Sequence, residues 1–353
     1  MGVKGLILLQ NTKGGVFRSG EPVRGILRYS LNKPTKFTSI NICLVGKGKC
    51  QWSETTKTDE DDRTTYYRNK EEYVNASKYV LAGQKLLAGT YDCPFELFLP
   101  ENIPTSFKNK TCTIEYKVIA TFVKDNFFGT KTKLEADVTV YGYVEPLSLE
   151  PLIFGLQKEL FSLSLNKKLE VKAEIERTCL TPGENIKLKL KVINETDVPI
   201  TIKTELMKYF TYVSSNNRTK KNDKESVKTT KAYSPTIKGK SVTGFNCVIP
   251  TLPSLYSIQH TKVMIGEYRV RLTAKLPFPH INASVEAPVV IGERRGHLGA
   301  TVMGFDHGSA AELNDQPVYV QMEEARSDCS ASLLTRVYTH PIKNLSTSHN
   351  RSS

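Results

Sequence analysis

The sequence predicts an all-β chain of two tandem antiparallel sandwiches. Three observations carry that expectation: apolar and polar residues alternate with period two from end to end, two landmark motifs recur in the same order, and helical spacing hardly appears. At 353 residues the chain exceeds one ordinary core and suits two domains of about 150 residues each. Hydrophobic residues make up 39%, enough to fill two cores. The longest apolar runs, such as residues 5–9, stop well short of the roughly 18 that a membrane-spanning helix requires.

The elements follow in order. A strand over residues 40–52 carries the single tryptophan, Trp52, past Gly46-Lys47-Gly48, which reads as a strand-end bulge or turn, and should bury its ring at least in part. Residues 114–122 place Ile114, Tyr116, Val118, Ala120 and Phe122 on one face, and a further run covers 137–144. Residues 152–161 could form a short helix, in a connector marked by Pro146 and Pro151. Strands resume over 169–176, over 186–192 with Ile186, Leu188, Leu190 and Val192 inward, over 200–206, and over 268–274 with Tyr268, Val270, Leu272 and Ala274 inward. From Arg294 alternation fails and Gly, Ser, Ala, Asn and His take over, so residues 294–353 read as a disordered tail.

The internal repeat is explicit. Gly20-Glu21-Pro22-Val23 and its strand return as Gly183-Glu184-Asn185-Ile186, and Phe95 to Pro100 with Ile103-Pro104-Thr105-Ser106 returns as Phe245 to Pro250 with Leu252-Pro253-Ser254. Gly-Glu marks a turn that launches a strand, and the prolines end one because they lack an N–H for the ladder.

These residues resemble the arrestin superfamily, specifically the arrestin domain-containing proteins or α-arrestins. The resemblance rests on Ser19 to Gly25, Gly46 to Gly48 with Trp52-Ser53-Glu54, Phe95 to Phe107, Thr181 to Glu184, Ile249 to Ser254 and Ala287 to Gly292. It implies two immunoglobulin-like sandwiches, an N-domain over 1–145 and a C-domain over 166–293, with a linker over 146–165. It also implies a non-enzymatic adaptor that joins membrane-protein cargo to endocytic or endosomal trafficking or to ubiquitination machinery, with the N-domain as the cargo side. The tail departs from the family pattern: a PPxY motif would dock on a ubiquitin ligase's WW domain, but Gln316 stands where the first proline belongs in Gln316-Pro317-Val318-Tyr319. Two other readings stay open, an arrestin-like subunit of an endosomal sorting coat and a basic module that binds anionic lipid.

Enzyme signatures are missing. There is no GxSxG, HExxH or HxxxH, the six histidines are scattered, and Lys238-Gly239-Lys240-Ser241 lacks the leading glycine of a P-loop. No cofactor or metal is expected. Seven cysteines, odd in number and never spaced CxxC, read as small core residues and stray thiols. With no signal peptide at the N-terminus, the expected location is the cytoplasm, peripherally associated with plasma membrane or endosomes.

The net charge of +13 is uneven: residues 201–240 hold ten basic and three acidic side chains. Arg218, Lys220, Lys221 and Lys224 are candidates for binding phosphorylated cargo or an anionic membrane surface, set against a solvated hairpin loop that merely keeps the chain soluble. Nucleic acid ranks lower, for want of a recognisable module. In the tail, Tyr319 and Met322 fit a YxxΦ sorting motif, set against an inert polar segment.

Overall fold

The computed structural model describes residues 3–10, 15–57, 61–160, 167–295 and the backbone of 335–341. It is all-β. Nine strands come first: β1 Lys4–Leu9, β2 Val16–Arg18, β3 Pro22–Leu31, β4 Thr35–Lys57, β5 Asp62–Leu86, β6 Gly89–Phe98, β7 Phe107–Lys108, β8 Cys112–Lys124 and β9 Lys131–Tyr141. Eleven follow: β10 Leu152–Leu160, β11 Lys167–Ile175, β12 Cys179–Leu180, β13 Ile186–Asn194, β14 Thr201–Val213, β15 Lys220–Ser226, β16 Ala232–Tyr233, β17 Ser241–Ile249, β18 Met264–Lys275, β19 Ala283–Ile291 and β20 Thr335–Pro341.

The first compact unit comprises residues 1–145 together with 209–223 and 256–266. A three-stranded sheet, β1-β3-β6, packs on a sheet ordered β2-β9-β8-β4-β5, with β7 on β8. Tyr29 of the first sheet meets Phe122 of the second edge-on at 5.0 Å, and both are buried. Phe210, Tyr212, Ile258, Val263 and Met264 complete this core, although they lie far along the chain. The second unit holds the sheet β17-β13-β11-β10-β20 and most of the sheet β12-β19-β18-β14-β15. Its core takes the inward residues of β11, β13, β18 and β19. The alternation read over 114–122, 186–192 and 268–274 places all its apolar members in the two cores.

The repeat is visible at atomic detail in the turns. Arg18 C=O accepts from the Glu21 N–H at 3.1 Å and Thr181 C=O from the Glu184 N–H at 2.9 Å. In each turn the glutamate returns a second bond: Glu21 Oε2 accepts from the Arg18 N–H and Glu184 Oε2 from the Thr181 N–H, both at 3.0 Å. The third residue is Gly20 at φ +80° or Gly183 at φ +85°, the left-handed position of a type II turn. Before each turn a short strand pairs in parallel, β2 on β9 and β12 on β19.

Three expectations are corrected. Residues 152–160 are a strand and not a helix, because Phe154, Leu156, Lys158 and Leu160 all point inward. Lys158 disguised the period: its ammonium donates to the Ile281 carbonyl, which lets a lysine occupy an inward position, and burial pulls its pKa down. Gly46-Lys47-Gly48 is neither turn nor strand end but mid-strand in β4, with a register shift between Gly46 and Lys47. Both glycines make room for rings: a Cβ at Gly46 would lie 2.4 Å from the Tyr116 ring, and one at Gly48 2.0 Å from the Tyr73 hydroxyl. The tail is not without order throughout, since Thr335–Pro341 adds an antiparallel strand to the open edge of β10.

The turn geometry sets a stability test. Gly183→Ala places a Cβ in the left-handed region and 3.3 Å from the Pro253 side chain, so it should lose about 1 to 2 kcal/mol in urea unfolding. Gly244→Ala, in exposed β17 with its nearest neighbour at 3.7 Å, should be neutral or gain up to about 1 kcal/mol.

Candidate functional site

Strand β4 pairs along both edges, with β5 on one side and β8 on the other. Side chains therefore alternate strictly between the core face and the outward face. Cys50 and Trp52 go inward, and Lys49, Gln51 and Ser53 go outward. Across the ladder, Lys49 faces Lys70, Gln51 faces Arg68 and Ser53 faces Tyr66. These residues, with Tyr67, Asn69 and Lys110 just before β8, line a cleft of about 480 Å³.

Four cations line the cleft, and no carboxylate does. Like charges directly opposed on a sheet are destabilising, and elsewhere this fold supplies a carboxylate. Arg24 faces and binds Glu96, Arg28 faces and binds Asp92, Lys47 faces and binds Glu72, and Lys189 faces and binds Glu174. Two other lysine pairs occur, Lys36 opposite Lys85 and Lys172 opposite Lys191, but Lys36 has Asp125 and Lys172 has Glu170. Among the described residues no carboxylate pairs with Lys49, Arg68, Lys70 or Lys110.

The walls are rigid. Trp52 is 7% exposed, as its strand placement requires, and stacks on Tyr67 at 5.3 Å while its indole N–H donates to Glu54. Asn69 Nδ2 donates to the Val213 and Lys262 carbonyls, and Ser215 N–H donates to the Arg68 carbonyl. Glu71 accepts from the Thr261 hydroxyl and the Lys262 N–H, which engages its charge away from the cleft cations. Asn109 Oδ1 accepts from the N–H groups of Thr111 and Cys112, while its amide donates to the Tyr212 hydroxyl at 2.6 Å.

The candidate cations of the basic stretch fall differently. Arg218 and Lys220 are exposed, on the turn after β14 and at the start of β15. Lys221 lies 3.8 Å from Asp223, and its charge reaches Cys50 in the cleft wall. Lys224 pairs with Glu286 at 3.2 Å. Glu286 also takes the Arg271 guanidinium, which approaches Glu205 at 3.8 Å, and Glu205 binds Lys203 at 2.6 Å and the Ser226 hydroxyl at 2.7 Å. Lys224 and Lys203 thus belong to a charge network whose centre, Glu205, is 3% exposed. Tyr319 and Met322 lie outside the described residues. The cleft was missed in the sequence because Lys49, Arg68, Lys70 and Lys110 are dispersed and meet only through the register of β4. The one sequence signal was outward lysine at Lys49 and Lys70.

Among the described residues no group of three or more His, Cys, Asp or Glu side chains could hold a metal ion. Residues 6–145 match the arrestin (or S-antigen) N-terminal domain, and residues 165–295 the arrestin (or S-antigen) C-terminal domain. The chain is 24% identical over 294 residues to arrestin domain-containing protein 5 of Bos taurus, covering 79% of this chain and 88% of that one. The human protein of that name is 23% identical over 295 residues, covering 78% and 84%. Human arrestin domain-containing protein 1 is 28% identical over 137 residues, covering 39% of this chain and 29% of that one.

Two substitutions test these charges. Lys70→Glu converts an opposed like pair into an opposed ion pair, so it should raise the stability read by urea unfolding by a few tenths to about 1 kcal/mol. Glu205 behaves in the opposite sense. Burial works against its charge, but hydrogen bonds from Lys203 and Ser226 and the charges of Lys203 and Arg271 outweigh it and hold the carboxyl below its usual range. A depressed carboxyl contributes stability that is present above its unfolded value of about 4.3 and is lost as pH falls through its lower folded value. Glu205→Gln should cost about 1 to 3 kcal/mol at neutral pH by leaving the half-buried Lys203 without its carboxylate, and its stability should fall less than the native protein's on acidification below about pH 4.

Proposed function

The chain belongs to the arrestin family, and from that premise we propose that it is a non-enzymatic adaptor linking membrane-protein cargo to endocytic or endosomal trafficking or to ubiquitination machinery. It works in the cytoplasm, peripherally on the plasma membrane or endosomes. The observation that carries this reading is the cleft of the first unit: four cations without a carboxylate, two of them opposed across one ladder at a cost to stability. A site arranged in this way suits the acidic or phosphorylated cytoplasmic segment of a cargo protein. The anion supplies the counter-charge that the fold withholds.

The recognition is electrostatic and shared. Lysine presents a mobile ammonium and not a bidentate fork, so no single lysine dominates and Arg68 is the one cleft residue with directional preference. Lys221 and Lys224 already have carboxylate neighbours, and their removal matters less.

The test compares two triple variants in binding a phosphorylated cargo-tail peptide at low salt. Lys49→Gln, Lys70→Gln and Lys110→Gln together should weaken binding by roughly two powers of ten, at about 1 kcal/mol per charge. Lys220→Gln, Lys221→Gln and Lys224→Gln together should weaken it by less than about tenfold, with both variants folded. The reverse order would move the binding face to the turn and β15. Proximity labelling in cells should recover trafficking or ubiquitination proteins with the native chain, and labelling confined to unrelated compartments would sink the adaptor reading.

A further inference from the structure

The cleft wall includes a thiol, Cys50, whose Cα partner across β4 and β8 is Cys112. Both are 2% exposed and both point to the core face. The ladder fixes their spacing. Gln51 N–H donates to the Thr111 carbonyl at 2.8 Å, which places Gln51 and Thr111 at a hydrogen-bonded position of the ladder, although the Thr111 N–H turns to Asn109 Oδ1. Hydrogen-bonded and non-hydrogen-bonded pairs alternate in an antiparallel ladder, so Cys50 and Cys112, one step on, are a non-hydrogen-bonded pair. Such pairs bring their Cα atoms to about 4.5 Å and their side chains closest, which lies inside the span of about 4.4 to 6.8 Å that a disulfide bridges. The other described cysteines, Cys43, Cys93, Cys179 and Cys247, have no cysteine opposite them in the registers they occupy.

We propose that Cys50 and Cys112 form a cross-strand dithiol on the core face of β4 and β8, with Cys50 at the basic cleft, a modification site that hydrogen peroxide converts reversibly to a disulfide.

The surroundings divide the labour. The Cys112 S–H donates to the Cys50 sulfur, and this bond, with the Lys221 charge, favours the thiolate at Cys50 against burial while it holds the proton on Cys112. The Cys50 thiolate attacks one peroxide oxygen and the O–O bond breaks, leaving a sulfenic acid on Cys50 and releasing hydroxide. The Cys112 sulfur then attacks the Cys50 sulfur, the S–O bond breaks, and the thiol proton leaves with the oxygen as water. Peroxide takes the two electrons, and a thiol reductant such as dithiothreitol returns them. Cys112 is already positioned for the second step, since its backbone N–H is held by Asn109 Oδ1 at 2.7 Å.

The full chain, treated with hydrogen peroxide in its folded state, should lose two hydrogen atoms in mass, and alkylation in denaturant should then add five groups and not seven. Peptide mapping should join Cys50 to Cys112 and leave Cys43, Cys93, Cys179, Cys247 and Cys329 alkylated, and dithiothreitol should restore both thiols. Cys112→Ser should give a dimedone-reactive sulfenic acid at Cys50, whereas Cys50→Ser should give at least tenfold less label at Cys112. The mapping needs no variant to fold. Oxidation of other cysteines while Cys50 and Cys112 stay reduced, or a crosslink that joins either to a different cysteine, would overturn the proposal.

Discussion

Strand β4 cannot move along either neighbour without turning its buried residues outward, and this double constraint places every residue of the cleft. A one-residue slip would send Ile40, Ile42 and Leu44 to solvent and bring lysines into the core, at a cost of about 1.5 to 3 kcal/mol for each large apolar side chain exposed. Gly46 and Gly48 add a second lock, because the Tyr116 and Tyr73 rings occupy the space of their missing side chains. The Tyr116 hydroxyl is in turn tied to the Pro104 carbonyl at 2.7 Å. The opposition of Lys49 to Lys70 and of Cys50 to Cys112 follows from that register and needs no local device of its own. Charge that would normally rearrange to escape repulsion is held where it is by the apolar face behind it.

The two units share their inward faces and their turns but not their outward charges. Each launches a long strand, β3 or β13, from a type II turn closed by a glutamate, and each precedes it with a short parallel strand. On the outward face of β11 and β13, Glu174 stands opposite Lys189 and neutralises it, and Arg24 and Arg28 of β3 have Glu96 and Asp92. Core packing and turn chemistry tolerate few changes, whereas an exposed ion pair contributes at most about 1 kcal/mol and is easily lost or gained. Duplication therefore leaves the surface free to diverge, and the cleft is where the first unit has departed from charge balance.

Much of this fold was legible, and the parts that were not share a cause. Alternation over Ile114 to Phe122 and Tyr268 to Ala274 was clear because both faces speak: apolar inward, charged or polar outward. In β10 an inward lysine broke the pattern, and only the Ile281 carbonyl, far along the chain, explains how Lys158 is accommodated. Gly46 and Gly48 looked like a turn because glycine's commonest reason is backbone freedom, while here the reason is a ring packed against each. The tail strand of Thr335–Pro341 was hidden among polar residues, since an edge strand needs a free neighbour and not a hydrophobic face of its own. In each case the missing information was a partner distant in sequence.

The same principle decides between charge density and charge availability. Residues 201–240 hold the densest run of cations in the chain, yet Lys203, Lys208, Lys224 and Lys240 each have a carboxylate, Glu205, Glu225, Glu286 and Asp197 respectively. A paired cation offers little field beyond its partner, because the two charges form a dipole that water and salt screen within about 10 Å. Lys49, Arg68, Lys70 and Lys110 are fewer, but their charges add, and a concave site with low-dielectric walls concentrates what they produce. An approaching anion meets in the cleft a field that the basic stretch spends in part on its own carboxylates. Register thus makes four dispersed cations of the +13 chain add at one place, the cleft built on β4.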